Sequence, residues 1–201
     1  MTRLTVVVAA TLNNGIGQNG RLPWRLSKEM QYFARVTSNA PEGSVNAVLM
    51  GRNTWESIPK KFRPLPRRLN VVISSNRQYE LFLTLQLDST LDRLSHSERL
   101  EPPIHRAFVI GGASLYRETL SLSPSSGSYV DRVLLTRILE PAFEQCDVHM
   151  PNFLDAEPQG GEHVAWRRTS HAELQEWAGF AVPEGIQEES GVKYEFQMWA
   201  R

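Results

Sequence analysis

The chain has 201 residues, 41% hydrophobic and 22% charged, enough to bury the core of one compact domain. Its 22 basic and 22 acidic side chains cancel, so no overall field draws it toward nucleic acid or an anionic membrane, and any anion recognition must be local. Cys146 is the single cysteine, which excludes an internal disulfide or a CxxC redox or metal site and points to a reducing compartment, the cytoplasm. Met1-Thr2-Arg3-Leu4 lacks a signal-peptide layout, and no apolar stretch approaches the roughly 18 residues of a membrane span.

The first predicted strand, Thr5–Ala10, is a continuous apolar run. After it, Gly15-Ile16-Gly17-Gln18-Asn19-Gly20 fits the G-x-G-x-x-G dinucleotide fingerprint. That fingerprint works only when a helix follows the glycines directly, with its first amides on the pyrophosphate. Here Arg21-Leu22-Pro23-Trp24 follows, Pro23 biases Leu22 away from helical angles, and the next helix start waits until Ser27. The segment is a glycine-studded loop closed by an aromatic residue, either an ordinary surface loop or a mobile lid over a ligand.

From the cap Ser27 a helix is predicted to about Thr37, followed by strand Asn46–Met50, helix Arg52–Ile58 and strand Asn70–Ser74. Helix Thr90–Leu100, strand Ala107–Ile110 and a helix from Ala113 to about Leu120 complete the series, an order that implies parallel crossovers. Ser121–Ser128 and Ala156–Glu162 read as surface connections. Val192, Tyr194, Phe196 and Met198 alternate with Lys193, Glu195 and Gln197, the pattern of a half-exposed antiparallel strand near an edge. The expected fold is α/β, a single domain over 1–201. Its centre is a mostly parallel twisted sheet of about eight strands with an antiparallel C-terminal strand, flanked by about four helices.

The run Lys60-Lys61-Phe62-Arg63-Pro64-Leu65-Pro66-Arg67-Arg68 holds five basic residues, and its prolines bar it from continuing the preceding helix. It reads as a hydrated loop, as a localisation or nucleic-acid patch, or as an anion site for a small molecule.

Four ordered motifs then form one pattern: Ile16-Gly17-x-x-Gly20-x-Leu22-Pro23-Trp24, Met50-Gly51-Arg52-x-Thr54-Trp55-x-Ser57-Ile58, Arg63-Pro64-Leu65-x-x-Arg68-x-Asn70 and Ile110-Gly111-Gly112-x-x-x-Tyr116. The pattern resembles dihydrofolate reductase and runs on through Gly185-Ile186-Gln187-Glu188-Glu189 and Tyr194-x-Phe196, covering nearly the whole chain. Its length and C-terminal pattern are more similar to the eukaryotic branch than to the bacterial one. The resemblance implies reduction of 7,8-dihydrofolate to 5,6,7,8-tetrahydrofolate with NADPH, by hydride transfer to C6 and protonation at N5, for one-carbon metabolism. It also implies antifolate inhibitors and a monomer that needs neither nucleic acid nor membrane.

By residues alone, Glu29 is an ordinary first-turn glutamate, favoured near a helix N-terminus, and on a helix it would share a face with Met30 and Phe33. The resemblance makes it the carboxyl that holds the pterin edge and assists protonation through a water, with Trp24 on that water and Thr136 on the carboxyl. Tyr116 joins them in the catalytic group. The implied substrate walls are Val7, Ala9, Phe33, Ile58, Leu65 and Ile110, with Arg68 on the α-carboxylate of the glutamyl tail. For the cofactor, helix starts at Gly51-Arg52-Asn53-Thr54 and Gly111-Gly112-Ala113-Ser114 offer amides to phosphate, and the family holds the Gly111–Gly112 peptide in the cis form. Arg52, Ser74, Ser75 and Arg77 are expected around the 2′-phosphate, and Ala9, Ile16, Thr54, Leu115 and Tyr116 around the rest of the NADPH. No metal is expected.

Several positions depart from the pattern. In Cys146-Asp147-Val148-His149-Met150-Pro151, Val148 and Met150 stand where the family usually has threonine and phenylalanine, Arg67 stands where bacterial relatives often have glycine, and the spacing of Arg77 is shifted. His96, His105, His149, His163 and His171 show no metal-ligand spacing, and Cys146 has no evident base. A related pteridine or pyrimidine reductase would not need Glu29, Phe33 and Arg68 together, and a non-catalytic nucleotide-binding module would need neither Trp24 nor Glu29.

Overall fold

The computed structural model describes residues 2–74, 84–85, 87–96, 100–155 and 165–201. Apolar side chains on alternating sides of successive strands create a core on each face of one central sheet. In chain order the elements are β1 (Thr2–Thr11), β2 (Gly15–Gly17), α1 (Ser27–Ser38), β3 (Val45–Gly51), α2 (Arg52–Ser57), β4 (Arg68–Ile73), β5 (Thr84–Leu85) and α3 (Leu87–Ser95). They continue with β6 (Ile104–Val109), α4 (Ala113–Leu120), β7 (Ser128–Glu140), β8 (Val148–His149), β9 (Arg167–Arg168), α5 (His171–Ala178), β10 (Gln187–Glu189) and β11 (Val192–Ala200). The sheet order is β10-β11-β7-β1-β6-β3-β4-β5, with β9 added to β11, while β2 and β8 form a separate ribbon.

Pairings from β7 through β5 are parallel, and β11 is antiparallel to β7, β9 and β10, as the sequence predicts. Leu4, Val6 and Val8 of β1 face α3 and α4, and Val7 faces the side that carries α1, α2 and α5. Among the described residues no helix is long and apolar enough to cross a membrane.

The expected fold class holds, and three details add to it or differ from it. The described residues hold five α-helices, the four located in the sequence and α5, which was not located there. Its start is a capping box, in which Ser170 Oγ accepts from the Glu173 amide and the Glu173 carboxylate accepts from the Ser170 amide. The third predicted helix begins at Leu87 rather than Thr90, which is buried, and ends at Ser95, where Ser95 Oγ donates to the Asp92 carbonyl at 2.6 Å. The 13-residue β7 was not predicted either, since Asp131, Arg132 and Arg137 interrupt its apolar run. The fold accommodates Asp131 at a break in the β1–β7 register, with Arg132 Nη1 donating to its carboxylate at 2.6 Å. The predicted connection Ser121–Ser128 is a connection with a 3-10 turn at Pro124–Ser126, although Ser128 is already the first residue of β7; Ala156–Glu162 and His163 lie outside the described residues.

The glycine loop is clasped. Gly15 and Gly17 pair with His149 and Val148, the Asn19 amide donates to Asp147 Oδ2 at 2.8 Å, and Asn19 and Gly20 turn the chain with positive φ of 50° and 73°. A Cβ at Gly15 would stand 2.7 Å from both Cβ and Sγ of Cys146, so only glycine fits. No helix follows until α1, in keeping with the rejection of a Rossmann site.

The C-terminal end of α1 is tied to the sheet by the buried Asn46 side chain. Its Nδ2 donates to the carbonyls of Thr37 and Asn39, each at 3.0 Å, and its Oδ1 accepts from the Arg106 amide at 3.1 Å. Replacing Asn46 by Leu leaves one buried and two part-buried backbone groups without this partner and should lower stability by about 1–3 kcal/mol, read as a drop in the urea midpoint at unchanged slope.

Candidate active site

The glycines and most of the expected cofactor residues gather at the carboxyl ends of the parallel strands, where α/β sheets bind ligands, whereas Arg68 stands at the amino end of β4. Gly51 ends β3, Ser74 follows β4, and Ile110, Gly111 and Gly112 follow β6. The Gly51 amide donates to the Gly111 carbonyl at 2.7 Å, which holds the starts of α2 and α4 side by side. The N-caps of these helices are Gly51 and Gly112, and neither receives a side-chain cap. The Gly111–Gly112 peptide is cis, as the resemblance implies. A Cβ on Gly111, at φ 127°, would stand 3.2 Å from Thr54 Oγ1 and 3.4 Å from the Tyr116 hydroxyl, so both the backbone and the packing favour glycine there. Tyr116 is buried and donates to the Val7 carbonyl at 2.9 Å, which places its hydroxyl between β1 and the glycine pair. Arg52, Asn53 and Ser114 are exposed at the rim, Thr54 and Ser74 are half-buried, and Leu115 is buried in the core beneath. Ser75 and Arg77 lie outside the described residues.

Across the sheet from the glycines stands Glu29, 6% exposed in the first turn of α1. Thr136 Oγ1 donates to its Oε1 at 3.2 Å. Burial pushes the Glu29 carboxyl up to about 7, against the lowering effect of the Thr136 hydrogen bond, and the charge of Glu189 pushes it the same way as burial. Thr136 is fixed because β7 is flanked there by Ala9 on β1 and Phe196 on β11. Phe33, Ile58, Leu65, Ala9 and Ile110 are half-buried against the same core face as Val7 and Trp24, forming a continuous apolar wall. Met30, expected to share the face of Glu29, is instead 48% exposed. The indole N–H of the buried Trp24 has no hydrogen-bond partner among the described residues, and its ring packs edge-on against Phe143 at 5.3 Å. That buried donor fits a small polar guest such as a water.

The basic run divides by role. Arg63 donates to the Trp55 carbonyl at 3.1 Å and stacks on that indole, while Lys60 and Lys61 are exposed. Arg68 is half-buried; its Nη1 donates to Thr37 Oγ1 at 2.7 Å and its Nε to the Pro66 carbonyl at 2.9 Å. Desolvation lowers its pKa, and the Arg67 charge adds to the effect. Asn70 braces the loop between them, accepting from the Leu65 amide and donating to the Leu65 and Arg68 carbonyls, each at 2.9 Å. Arg67 is exposed with a φ of 58°, which explains in backbone terms a position where glycine is at home.

Far from this cleft, at the opposite strand ends, a cavity of about 370 Å³ is lined by Arg3, Arg106, Arg132 and Trp177 and contains none of the expected residues. Among the described residues no group of His, Cys, Asp or Glu could hold a metal ion.

A family model described as dihydrofolate reductase matches residues 3–176, and the chain is 44% identical to the dihydrofolate reductase of Cryptococcus neoformans, over 98% of this chain and 93% of that one. The chain belongs to the dihydrofolate reductase family. It is also 42% identical to the dihydrofolate reductase of Pneumocystis carinii, over 98% of this chain and 96% of that one. The structure of Schistosoma mansoni dihydrofolate reductase matches with a TM-score of 0.75 at 32% identity, over 99% of this chain and 98% of that one. The family consists of NADPH-dependent oxidoreductases that make tetrahydrofolate, so the enzyme class and cofactor read from the sequence stand. The paired, uncapped helix starts and the glycines that a Cβ would fill fit such a dinucleotide.

Two dihydrofolate reductase residues near Glu29 escaped the sequence reading. Tyr32, buried on the next turn and 4.2 Å from the Phe196 ring centroid, follows Glu29 at the spacing of a shared helix face. Glu189 sits in a quoted motif, but nothing local reveals its partner. The predicted cap Ser27 is corrected as well: Ser27 is the first helical residue, Leu26 is the N-cap, and the Glu189 carboxylate accepts from the Ser27 and Lys28 amides at 2.7 and 3.0 Å.

Because the folded Glu29 carboxyl binds its proton more tightly than the ordinary 4.5, its protonated form is the one the fold favours. The associated stability is complete below pH 4.5 and is lost as pH rises through about 7. Glu29→Gln should therefore be more stable than the parent at pH 8 by up to about 3 kcal/mol, with the two converging below pH 4.5, in urea unfolding at both pH values.

Proposed function

We propose that this chain reduces 7,8-dihydrofolate with Glu29 as its proton-handling and ring-anchoring group, working as a one-domain monomer in the cytoplasm. The observation that carries the reading is a carboxyl buried in an apolar wall, bonded to Thr136, with a pKa near neutrality. Such a group can hold the N3 and 2-amino edge of the pterin through paired hydrogen bonds. Near pH 7 it exchanges a proton readily, and Trp24 holds the water through which that proton passes toward N5. Phe33, Ile58, Leu65 and Ile110 wall the ring system, Val7 and Ala9 floor it, and the apolar enclosure excludes bulk water. Arg68, pre-set by Thr37 and the Pro66 carbonyl, receives the α-carboxylate of the glutamyl tail. Antifolate inhibitors compete for the same carboxyl and walls.

Bound NADPH supplies the hydride that reaches C6. Gly51, Asn53, Gly111, Gly112 and Ser114 would hold its pyrophosphate at the two helix starts, and Arg52 and Ser74 would hold the 2′-phosphate, to which the resemblance also assigns Ser75 and Arg77, outside the described residues. Ile16, Thr54 and Tyr116 would orient the nicotinamide, with Ala9 and Leu115 also assigned to the cofactor site. The balanced net charge agrees with small-molecule chemistry that needs no nucleic acid or membrane.

Following nicotinamide absorbance with dihydrofolate and NADPH should show turnover by the parent. Glu29→Gln should lose at least about a hundredfold in kcat at neutral pH, with recovery at low pH where the pterin arrives protonated. Full activity in the variant would remove Glu29 from the mechanism. Arg68→Leu should weaken dihydrofolate about ten- to a hundredfold and leave a pterin without the glutamyl tail unaffected, measured by titration. Equal weakening of both ligands would refute the tail assignment.

A further inference from the structure

The Gly185–Glu189 motif has no part in the reaction as described so far, yet it ends on the carboxylate that covers the start of α1. Two backbone donors converge on it, Ser27 to Oε1 at 2.7 Å and Lys28 to Oε2 at 3.0 Å, a two-oxygen grip across 160 residues of chain. Glu29 is the next residue along. Without that grip the first turn of α1 has no side-chain cap, since its N-cap is Leu26.

We propose that Glu189 is a positioning residue for the reduction: its carboxylate clamps the Ser27 and Lys28 amides and thereby fixes where the Glu29 carboxyl stands over the pterin site. This inference rests on the role given to Glu29 above. The groups that face Glu29 are Thr136 from β7, Tyr32 from its own helix, Tyr116 from α4, Tyr194 from β11 and Glu189 from β10. Among the described residues Glu189 is the one charge in that set. Its negative charge, and its neutralisation of the positive helix end, both favour a proton on Glu29. One side chain thus sets position and proton affinity together. The carboxylate on β10 is held in register by β11, through Glu189 opposite Val192 and Gln187 opposite Tyr194.

The test is kcat/KM for dihydrofolate at saturating NADPH between pH 5 and 9, with melting temperature alongside. In Glu189→Gln the high-pH fall of activity should move about half a pH unit lower, kcat should drop and KM for NADPH should stay unchanged. Glu189→Asp keeps the charge and should restore most of the midpoint. Should Glu189→Gln fail to fold, Ser27→Pro removes one donor and keeps both carboxylates. Proline suits a first helical position, and Leu26 before it is extended, at φ −122° and ψ 103°. In that variant kcat should fall with the midpoint in place. A lower melting temperature with the parent's profile and kcat in Glu189→Gln, or in Ser27→Pro if that alone folds, makes Glu189 a cap and nothing more, and overturns the proposal. A parent without dihydrofolate-dependent NADPH oxidation would instead overturn the reductase assignment beneath it.

Discussion

An acid with almost no water around it governs this structure. Desolvation alone makes an ionised carboxylate at Glu29 expensive, and Thr136 offers a single hydrogen bond in return. The surrounding phenols of Tyr32, Tyr116 and Tyr194 are neutral, and burial with the nearby carboxyl keeps each of them so. The result is a group poised between its two forms at neutral pH. The fold accepts a stability loss at this position that an amide would avoid, the usual relation between a functional group and the scaffold around it.

The two halves of the cleft are built by different means. On the side proposed for the substrate, large apolar side chains from α1, β1 and the Ile58–Leu65 segment form walls, and Asn70 and Thr37 set the loop and the Arg68 guanidinium at the far end. On the side proposed for the cofactor the structure works by omission: Gly111 and Gly112 crowd against Thr54, and Gly51 against that glycine pair, with no side chains of their own. The first kind of surface excludes water from a flat ring, whereas the second lets backbone amides approach phosphate.

Much of this was legible along the chain. Strands β1 and β3 were readable because they are buried and nearly continuous in apolar residues, β4 and β6 only through their apolar ends Val71–Ile73 and Ala107–Val109, since Arg68 and Asn70 open the one and His105 and Arg106 the other; Gly51 and the Gly111-Gly112 pair marked helix starts directly. Strand β7 was not, because charges inside a buried strand are tolerated only through partners such as Arg132 for Asp131, which a linear reading does not reveal. The capping box of α5 was present as Ser170 and Glu173 and went unused. Glu189 could not have been found locally at all, since its partners lie at the other end of the chain. Arg67 shows the reverse case, where a departure from glycine is absorbed by a left-handed backbone at an exposed site.

The register around Thr136 carries a consequence for folding. Its strand is completed on one side by β1 and on the other by β11, through Ala9 and Phe196, which lie far apart in sequence. No short stretch of this chain encloses the acid on α1, because Glu29 gains its threonine partner and its dry wall only when both neighbours of β7 have paired. Such long-range closure slows folding and makes it cooperative, so the catalyst comes into being all at once.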